Sequence, residues 1–220
     1  MSRLDRPVQK SSNPASKFLS WKSNDKAFAY YDKDKQENVL VKLPLKMVFL
    51  EHYHTVKGWN DKTESGIYSN EVYAIGSEEV SVKAFKGGEI ASGLYKDIKP
   101  KIQAAGGVYH RSVYVMLEDG SIANLSIKGS AVSSYSDFYK ENNHLLDNQW
   151  FLVDKAIDGK KGAVKFSTPN FLIGEVLTRD EDAQVVKAAA ILQDHINNYN
   201  AKEVVSDVVE EPIEADDLDF

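Results

Sequence analysis

From Phe18 onward, apolar and polar residues alternate in short runs rich in aromatic and β-branched side chains, and turn residues separate one run from the next. A period of two sends successive side chains to opposite faces, so each run suits a strand with one buried face. Short runs divided by turns suit antiparallel pairing. Residues 18–22 and 27–31 read as two strands about Ser23-Asn24-Asp25, and 32–38 as a charged turn. The stretch 39–54 is the longest candidate: Val41, Leu43, Leu45, Met47 and Phe49 share one face, and Lys42, Pro44, Lys46, Val48, His52 and His54 the other. Pro44 has no amide hydrogen, which predicts a bend, a bulge or an edge there. Residues 58–66 read as a loop carrying Trp59, and 67–75 pairs with 79–86 across Gly76-Ser77. Two further hairpins are predicted, 108–117 with 121–128 about Glu118-Asp119-Gly120, and 149–157 with 162–167 about Asp158-Gly159-Lys160-Lys161.

Helical spacing takes over in two places. Over Ser130–Asn142 it puts Val132, Tyr135, Phe138 and Tyr139 on one side. Over 180–200, after a cap at Thr178 or Asp180, Val185, Ala188, Ala189, Leu192, Ile196 and Tyr199 form an apolar stripe. Residues 89–107 predict a short helix on one side of Pro100. The expected fold is mainly β: an OB-type Greek-key β-barrel of five strands with extra strands and helices, a β-sandwich being the rival.

Charge divides the chain. Residues 203–220 hold eight acidic residues and no basic one, whereas 1–202 hold 27 basic against 25 acidic. Such a block of like charge cannot bury enough apolar surface to offset the entropy of ordering, so 203–220 is expected to be a disordered acidic tail. Leu218 and Phe220 stand among its acids, and an apolar ring flanked by anions is a compact ligand for a basic pocket. Asp216, Asp217, Leu218, Asp219 and Phe220 are therefore the candidate partner-binding residues, and the same acids can occupy a cationic groove on their own chain. Residues 1–17 read as a flexible basic arm (Arg3, Arg6, Lys10 and Lys17 against Asp5), leaving 18–202 as one domain with room for a real core. With no cysteine, neither a disulfide nor a thiolate metal site can form. The absence of a secretory signal or a membrane-length apolar run predicts a cytoplasmic protein without a membrane partner.

Signatures of enzymes are lacking: there is no P-loop, dinucleotide fingerprint, G-x-S-x-G or H-E-x-x-H, so no catalytic residue and no cofactor is expected. His52 and His54 share a strand face but have no third metal ligand in view, and they read as ordinary groove histidines. Gly159-Lys160-Lys161-Gly162 reads as a solvated hairpin tip rather than a phosphate loop. The positive feature is aromatic residues interleaved with bases. Proteins that coat single strands stack bases on rings and follow the backbone with Lys and Arg. On that pattern the candidate DNA-binding residues are Lys42, Lys46, Tyr53, Trp59, Lys83, Phe85, Tyr109, Arg111 and Tyr114, with Trp21-Lys22 as a further pair. Val80, Val82 and Ala84 alternate inward, which turns Lys83 and Phe85 outward together.

Four blocks carry a resemblance: Ser65-Gly66-Ile67-Tyr68-Ser69-Asn70-Glu71-Val72, Gly93-Leu94-Tyr95-Lys96-Asp97-Ile98-Lys99, Gly107-Val108-Tyr109-His110-Arg111-Ser112-Val113-Tyr114 and Lys128-Gly129-Ser130-Ala131-Val132. In order and spacing they resemble the single-stranded DNA-binding proteins of tailed bacteriophages, over roughly residues 45–140. The acidic end closing on aspartates and Phe220 is similar to the tails of that class, although Leu218 stands where a polar residue or proline is expected. The resemblance implies an OB-fold that coats single-stranded DNA in DNA replication or recombination, and a tail that recruits partner enzymes of those processes. No DNA-contact residue carries over from it. A homodimer is left open. The competing reading is a β-barrel protein–protein adaptor that never touches nucleic acid.

Overall fold

The computed structural model describes residues 13–206. They form a mainly β structure in which three strands open the chain as an antiparallel meander, β1 (Lys17–Lys22), β2 (Ala27–Asp32) and β3 (Glu37–Val41). The long β4 (Leu45–Asn60) follows, then β5 (Ser65–Ser69), β6 (Glu79–Ala84), β7 (Gly88–Leu94) and α1 (Tyr95–Ala104). After these come β8 (Gly107–Leu117), β9 (Ile122–Lys128), α2 (Ser130–Asn142), β10 (Gln149–Lys161), β11 (Val164–Val176) and α3 (Arg179–Ser206). The strands make one mixed sheet in the order β3-β2-β1-β9-β8-β4-β5-β6-β7, and β10, itself paired with β11, joins at the start of β4.

The sheet does not close into the expected barrel. β1 lies parallel to β9 and takes the edge at which a further strand would pair. β11 meets β1 by hydrogen bonds outside any ladder: Trp21 Nε1 donates to the Ser167 carbonyl at 2.9 Å, and Ser167 N–H donates to Ser23 Oγ at 2.6 Å. Trp21 is thereby a core residue, not a stacking one.

β4 organises the rest. It pairs with β8 over Met47–Gly58 and with β10 over Leu45–Met47. The expected continuous strand 39–54 is broken between Val41 and Leu45, around Pro44. A bulge between Phe49 and Glu51 then leaves Leu50 as the extra residue. One inserted residue sends every later side chain to the other face. Tyr53, Thr55 and Lys57 therefore join the face of Val48, while His52 and His54 move to the face of Met47 and Phe49. The ring of His52 lies 5.7 Å from that of Phe49.

Three clusters of buried side chains follow. The largest joins Met47, Val113, Val115, Leu125 and Ile127 to Tyr135 and Phe138 of α2 and to Phe151, Val153 and Phe171 of β10 and β11. The opposite face of β4 and β8 buries Val48, Tyr53, Tyr114 and Met116 beneath Ala188 and Leu192 of α3. The third fills the space between β4–β7 and α1, with Ile98 and Ile102 at its centre. α1 runs through Pro100 rather than stopping beside it.

α3 opens on a reciprocal cap. Thr178 Oγ1 accepts from Glu181 N–H at 3.3 Å, and the Glu181 carboxylate accepts from Thr178 N–H at 2.8 Å, which satisfies two amides of the first turn. The helix continues to Ser206, so residues 203–206, expected to begin the acidic tail, belong to it. The remainder of the tail, including Asp216, Asp217, Leu218, Asp219 and Phe220, lies outside the described residues. At the other end residues 13–17 are part of the packing: Ala15 is buried and Ser16 N–H donates to the Ile122 carbonyl at 2.8 Å. Residues 1–12 of the expected arm lie outside the described residues.

Candidate nucleic-acid interface

α3 covers only part of the face of β4 and β8 on which it packs. Beyond His195 and Ile196 the face opens into a groove of about 670 Å³. Strand alternation after the Leu50 bulge supplies its floor, with Tyr53, Thr55 and Lys57 from β4 and Tyr114 from β8. Aromatic residues from distant parts of the chain make its rim: Phe18 of β1, Tyr68 of β5, Tyr73, and Phe85 just after β6.

The floor is polar and hydrogen-bonded, save that Asn124 Oδ1 is buried without a partner. Glu71 accepts hydrogen bonds from Ser112 Oγ and from the Tyr114 hydroxyl, the latter at 3.0 Å. Asn124 Nδ2 donates to Ser112 Oγ at 2.6 Å, and His110 Nδ1 lies 2.8 Å from Ser126 Oγ. Asn13 Nδ2 donates to the Tyr114 hydroxyl at 3.2 Å, and the Tyr53 and Tyr73 hydroxyls lie 3.0 Å apart. Burial raises the Tyr53 phenol above its ordinary value and lowers the Lys57 ammonium below its own. His110 is pushed down to about 3 by burial and then by the nearby Lys57 and Lys128. The charge on the groove is uneven. Glu71, Glu78 and Glu79 line it, Glu78 against the Tyr73 amide, and Lys57, on which the Glu71 charge acts, is the register partner of Tyr68.

That rim is an exposed aromatic surface. Phe85 is 74% exposed, its ring lies 4.6 Å from that of Tyr68 at 32° between planes, and Lys83 is the register partner of Tyr68. The outward turn of Lys83 and Phe85 expected from alternation is present: Val80, Val82 and Ala84 are buried, and both Lys83 and Phe85 are exposed. Trp59, at the end of β4, is 56% exposed and shares the strand parity of Tyr53 and Lys57.

The other candidates scatter. Tyr53 and Tyr114 line the groove but are 3% and 2% exposed, so they offer hydroxyls and ring edges rather than stacking faces. Lys46 is committed elsewhere: its ammonium pairs with Glu175 at 2.7 Å and sits 4.6 Å from the Trp150 ring centroid. Lys42 is exposed in the link between β3 and β4, beside Pro44 and outside the groove lining. Tyr109 and Arg111 lie on the opposite face of β8, with His54. Alternation separates them from Tyr114, although the three stand within six residues of one another. Sequence reasoning missed Tyr68, Phe18, Tyr73 and Lys57. Tyr68 carried a signal, since it follows the inward Ile67 and so faces outward opposite Lys83. Among the described residues no three His, Asp or Glu side chains cluster as metal ligands, and no helix is long and apolar enough to cross a membrane.

The chain matches no protein-family model, no curated protein and no solved structure.

Proposed function

We propose that this chain is a sequence-independent single-stranded DNA-binding protein of the kind phages use in replication or recombination, and that its strand lies in the groove between Phe18 and the Tyr68–Phe85 rim. The observation that carries this reading is the exposed ring pair beside Lys83 and Lys57, on a groove floored by the outward face of β8. Every base has a π-face and every nucleotide a charge, so rings next to lysines bind strands with little regard to sequence.

The path of the chain supports an OB-type core within the larger sheet. β4, β8, β9, α2, β10 and β11 follow one another as three strands, a helix and two strands, and the bent first strand pairs with both the second and the fourth. In that arrangement β8 and β9 are the second and third strands, whose face binds oligonucleotides in OB-folds. Their outward residues Ser112, Tyr114, Asn124 and Ser126 are those beneath the groove. The segment from β5 to α1 is then an insertion that raises Tyr68 and Phe85 beside it, and β1–β3 an N-terminal addition that brings Phe18. The acidic residues after Ser206 are read as the part that engages replication or recombination enzymes.

Glu71, Glu78 and Glu79 favour a second reading, in which the acidic end of the groove takes a basic, aromatic-containing peptide and the chain is an adaptor. Fluorescence anisotropy separates the two. The first expects a labelled oligo-dT to bind more tightly than a duplex of equal length, with affinity falling as salt rises. Equal affinity for the duplex, or no binding at low salt, leaves the adaptor reading.

A further inference from the structure

Strand alternation carries Arg111 away from the groove to the other face of β8. Five ion pairs occur among the described residues, and Arg111 belongs to none of them. Its Nη1 lies 2.6 Å from His54 Nε2. A guanidinium has no acceptor, so that ring nitrogen accepts and the hydrogen of the imidazole resides on Nδ1. Nδ1 then donates to the Tyr109 hydroxyl oxygen, 2.6 Å away. The Tyr109 O–H is thereby left as a donor directed away from the ring. Arg111 Nε is also buried without a hydrogen-bond partner. A buried charged donor left unmade is costly, and such an exception calls for an occupant.

No carboxylate pairs with Arg111 among the described residues. Glu51 accepts from the His52 amide at 2.8 Å and from the Tyr73 hydroxyl at 3.2 Å, and Glu78 accepts from the amides of Tyr73 and Ala74. The surroundings are aromatic instead. The Tyr95 ring lies 5.8 Å from that of Tyr109, and the Tyr139 ring lies 4.3 Å from that of His52. Both tyrosines are half-buried. The cluster thus offers guanidinium N–H groups and a phenol O–H that no carboxylate takes up, which is complementary to an oxyanion. A planar fork with a hydroxyl from the neighbouring strand position suits three oxygens of a tetrahedral group better than the two of a carboxylate.

We propose that Arg111, with Tyr109 and the neutral His54 that orients both, forms a phosphate-binding site on the face of β8 opposite the groove, taking the phosphate of a nucleotide or of a nucleic-acid strand. The site goes beyond the groove reading and stands without it.

Calorimetric titration of the full chain with inorganic phosphate and with thymidine monophosphate tests it. Saturable binding of both is expected. Arg111→Met should weaken it by at least about tenfold, as for loss of a charged hydrogen bond, and Tyr109→Phe by several-fold. Should Arg111→Met fail to fold, Tyr109→Phe decides, since it keeps the ring and removes only the donor. A short oligo-dT with and without a 5′-phosphate then identifies the source. An Arg111-dependent gain from the terminal phosphate means a strand end, and equal Arg111 dependence of both means an internal phosphodiester. Phe85→Ala should leave phosphate binding unchanged while weakening strand binding, so failure of either site shows separately. No saturable binding of phosphate or nucleotide overturns the proposal, and so does binding that ignores both substitutions. Arg111-dependent binding of a peptide of residues 203–220 in the absence of phosphate binding also overturns it, because the site would then be one for carboxylates.

Discussion

The ring of Phe85 rests on Gly66: a Cβ added to that glycine would meet Phe85 Cδ2 at 3.1 Å and Cε2 at 3.2 Å. A bare stretch of β5 backbone thus seats one edge of the ring beside Tyr68 and leaves most of the ring in solvent. An apolar ring held in this way is available for stacking.

Phe85→Ala and Tyr68→Ala should each cost about 1–3 kcal/mol of single-strand affinity, the usual worth of one base–ring stack. Phe85 buries little in the folded chain, so its melting temperature should hardly move. Anisotropy and thermal melting on the same variant check this. A large loss of stability with unchanged affinity would reassign the ring to structural duty.

Tyr53 and Tyr114 should behave in the opposite way. Both are buried against α3, and truncating a large buried ring to Ala costs about 3–5 kcal/mol through lost contacts and the cavity left behind. Urea midpoints should fall steeply in both variants. Any weakening of strand binding should follow the unfolded fraction and vanish at temperatures where the variant is fully folded. Lost affinity in a fully folded Tyr53→Ala chain would show that its hydroxyl or ring edge touches the ligand.

Local patterning was legible where the chemistry is local. α2 spans the residues that helical spacing assigns it, and the outward turn of Lys83 and Phe85 follows from the inward set Val80, Val82 and Ala84. The bulge at Leu50 left a weaker trace: Met47, Val48, Phe49 and Leu50 are all apolar, so alternation loses its phase there, and period-two reasoning carried past that point puts His52 and His54 on the wrong face. The groove itself could not be read. It joins Phe18, Tyr68, Phe85 and Ile196, and what brings them together is the parallel pairing of β1 with β9 and the packing of α3 across β4. No local propensity encodes either event. Nor did composition distinguish Lys46, tied to Glu175, from Lys83, which is exposed and in none of the ion pairs among the described residues.

That contrast predicts a difference in salt dependence. Each phosphate contact releases condensed counterions, so Lys83→Gln should reduce the slope of log affinity against log salt by about 0.7 for a single strand. Lys46→Gln should leave the slope unchanged, because its ammonium already faces a carboxylate. Anisotropy at four or more salt concentrations measures both. Equal slopes for wild type and Lys83→Gln remove Lys83 from the path of the strand.

Acid should destabilise the fold through the buried His110 and the half-buried His52 and His54. His52 and His54 are lowered from 6.5 to about 4, first by burial and then by the Arg111 charge, and His110 to about 3 by burial, Lys57 and Lys128. Well above pH 6.5 these rings are neutral in both folded and unfolded chains. As pH falls from 6.5 toward 4 the unfolded chain takes up protons that the folded chain refuses, so stability drops across that window. Below about pH 3 the folded rings are protonated too, and their contribution stops changing. Urea midpoints at pH 7.5, 5.5 and 4.5 should decline in order, and His110→Asn should flatten the decline. A midpoint constant from pH 7.5 to 4.5 would show that these rings titrate alike in the two states.

Deleting residues 207–220 should tighten binding to single-stranded DNA. α3 lines the groove with His195 and Ile196 and runs on to Ser206, and residues 207–220 follow it in the chain. They include seven acids and no base. A tether of this kind gives a local concentration on the order of millimolar, at which even a weak electrostatic contact competes with a strand. Because the competition is between charges, the gain from deletion should be largest at low salt and shrink as ionic strength rises. Replacing Phe220 alone leaves the charge intact, so strand affinity should stay as it is, while docking of a replication or recombination enzyme that reads the ring should weaken. Anisotropy of the full chain, the chain ending at Ser206 and Phe220→Ala across one salt series separates these effects. If the shortened chain binds no more tightly at any salt, the acids do not visit the groove.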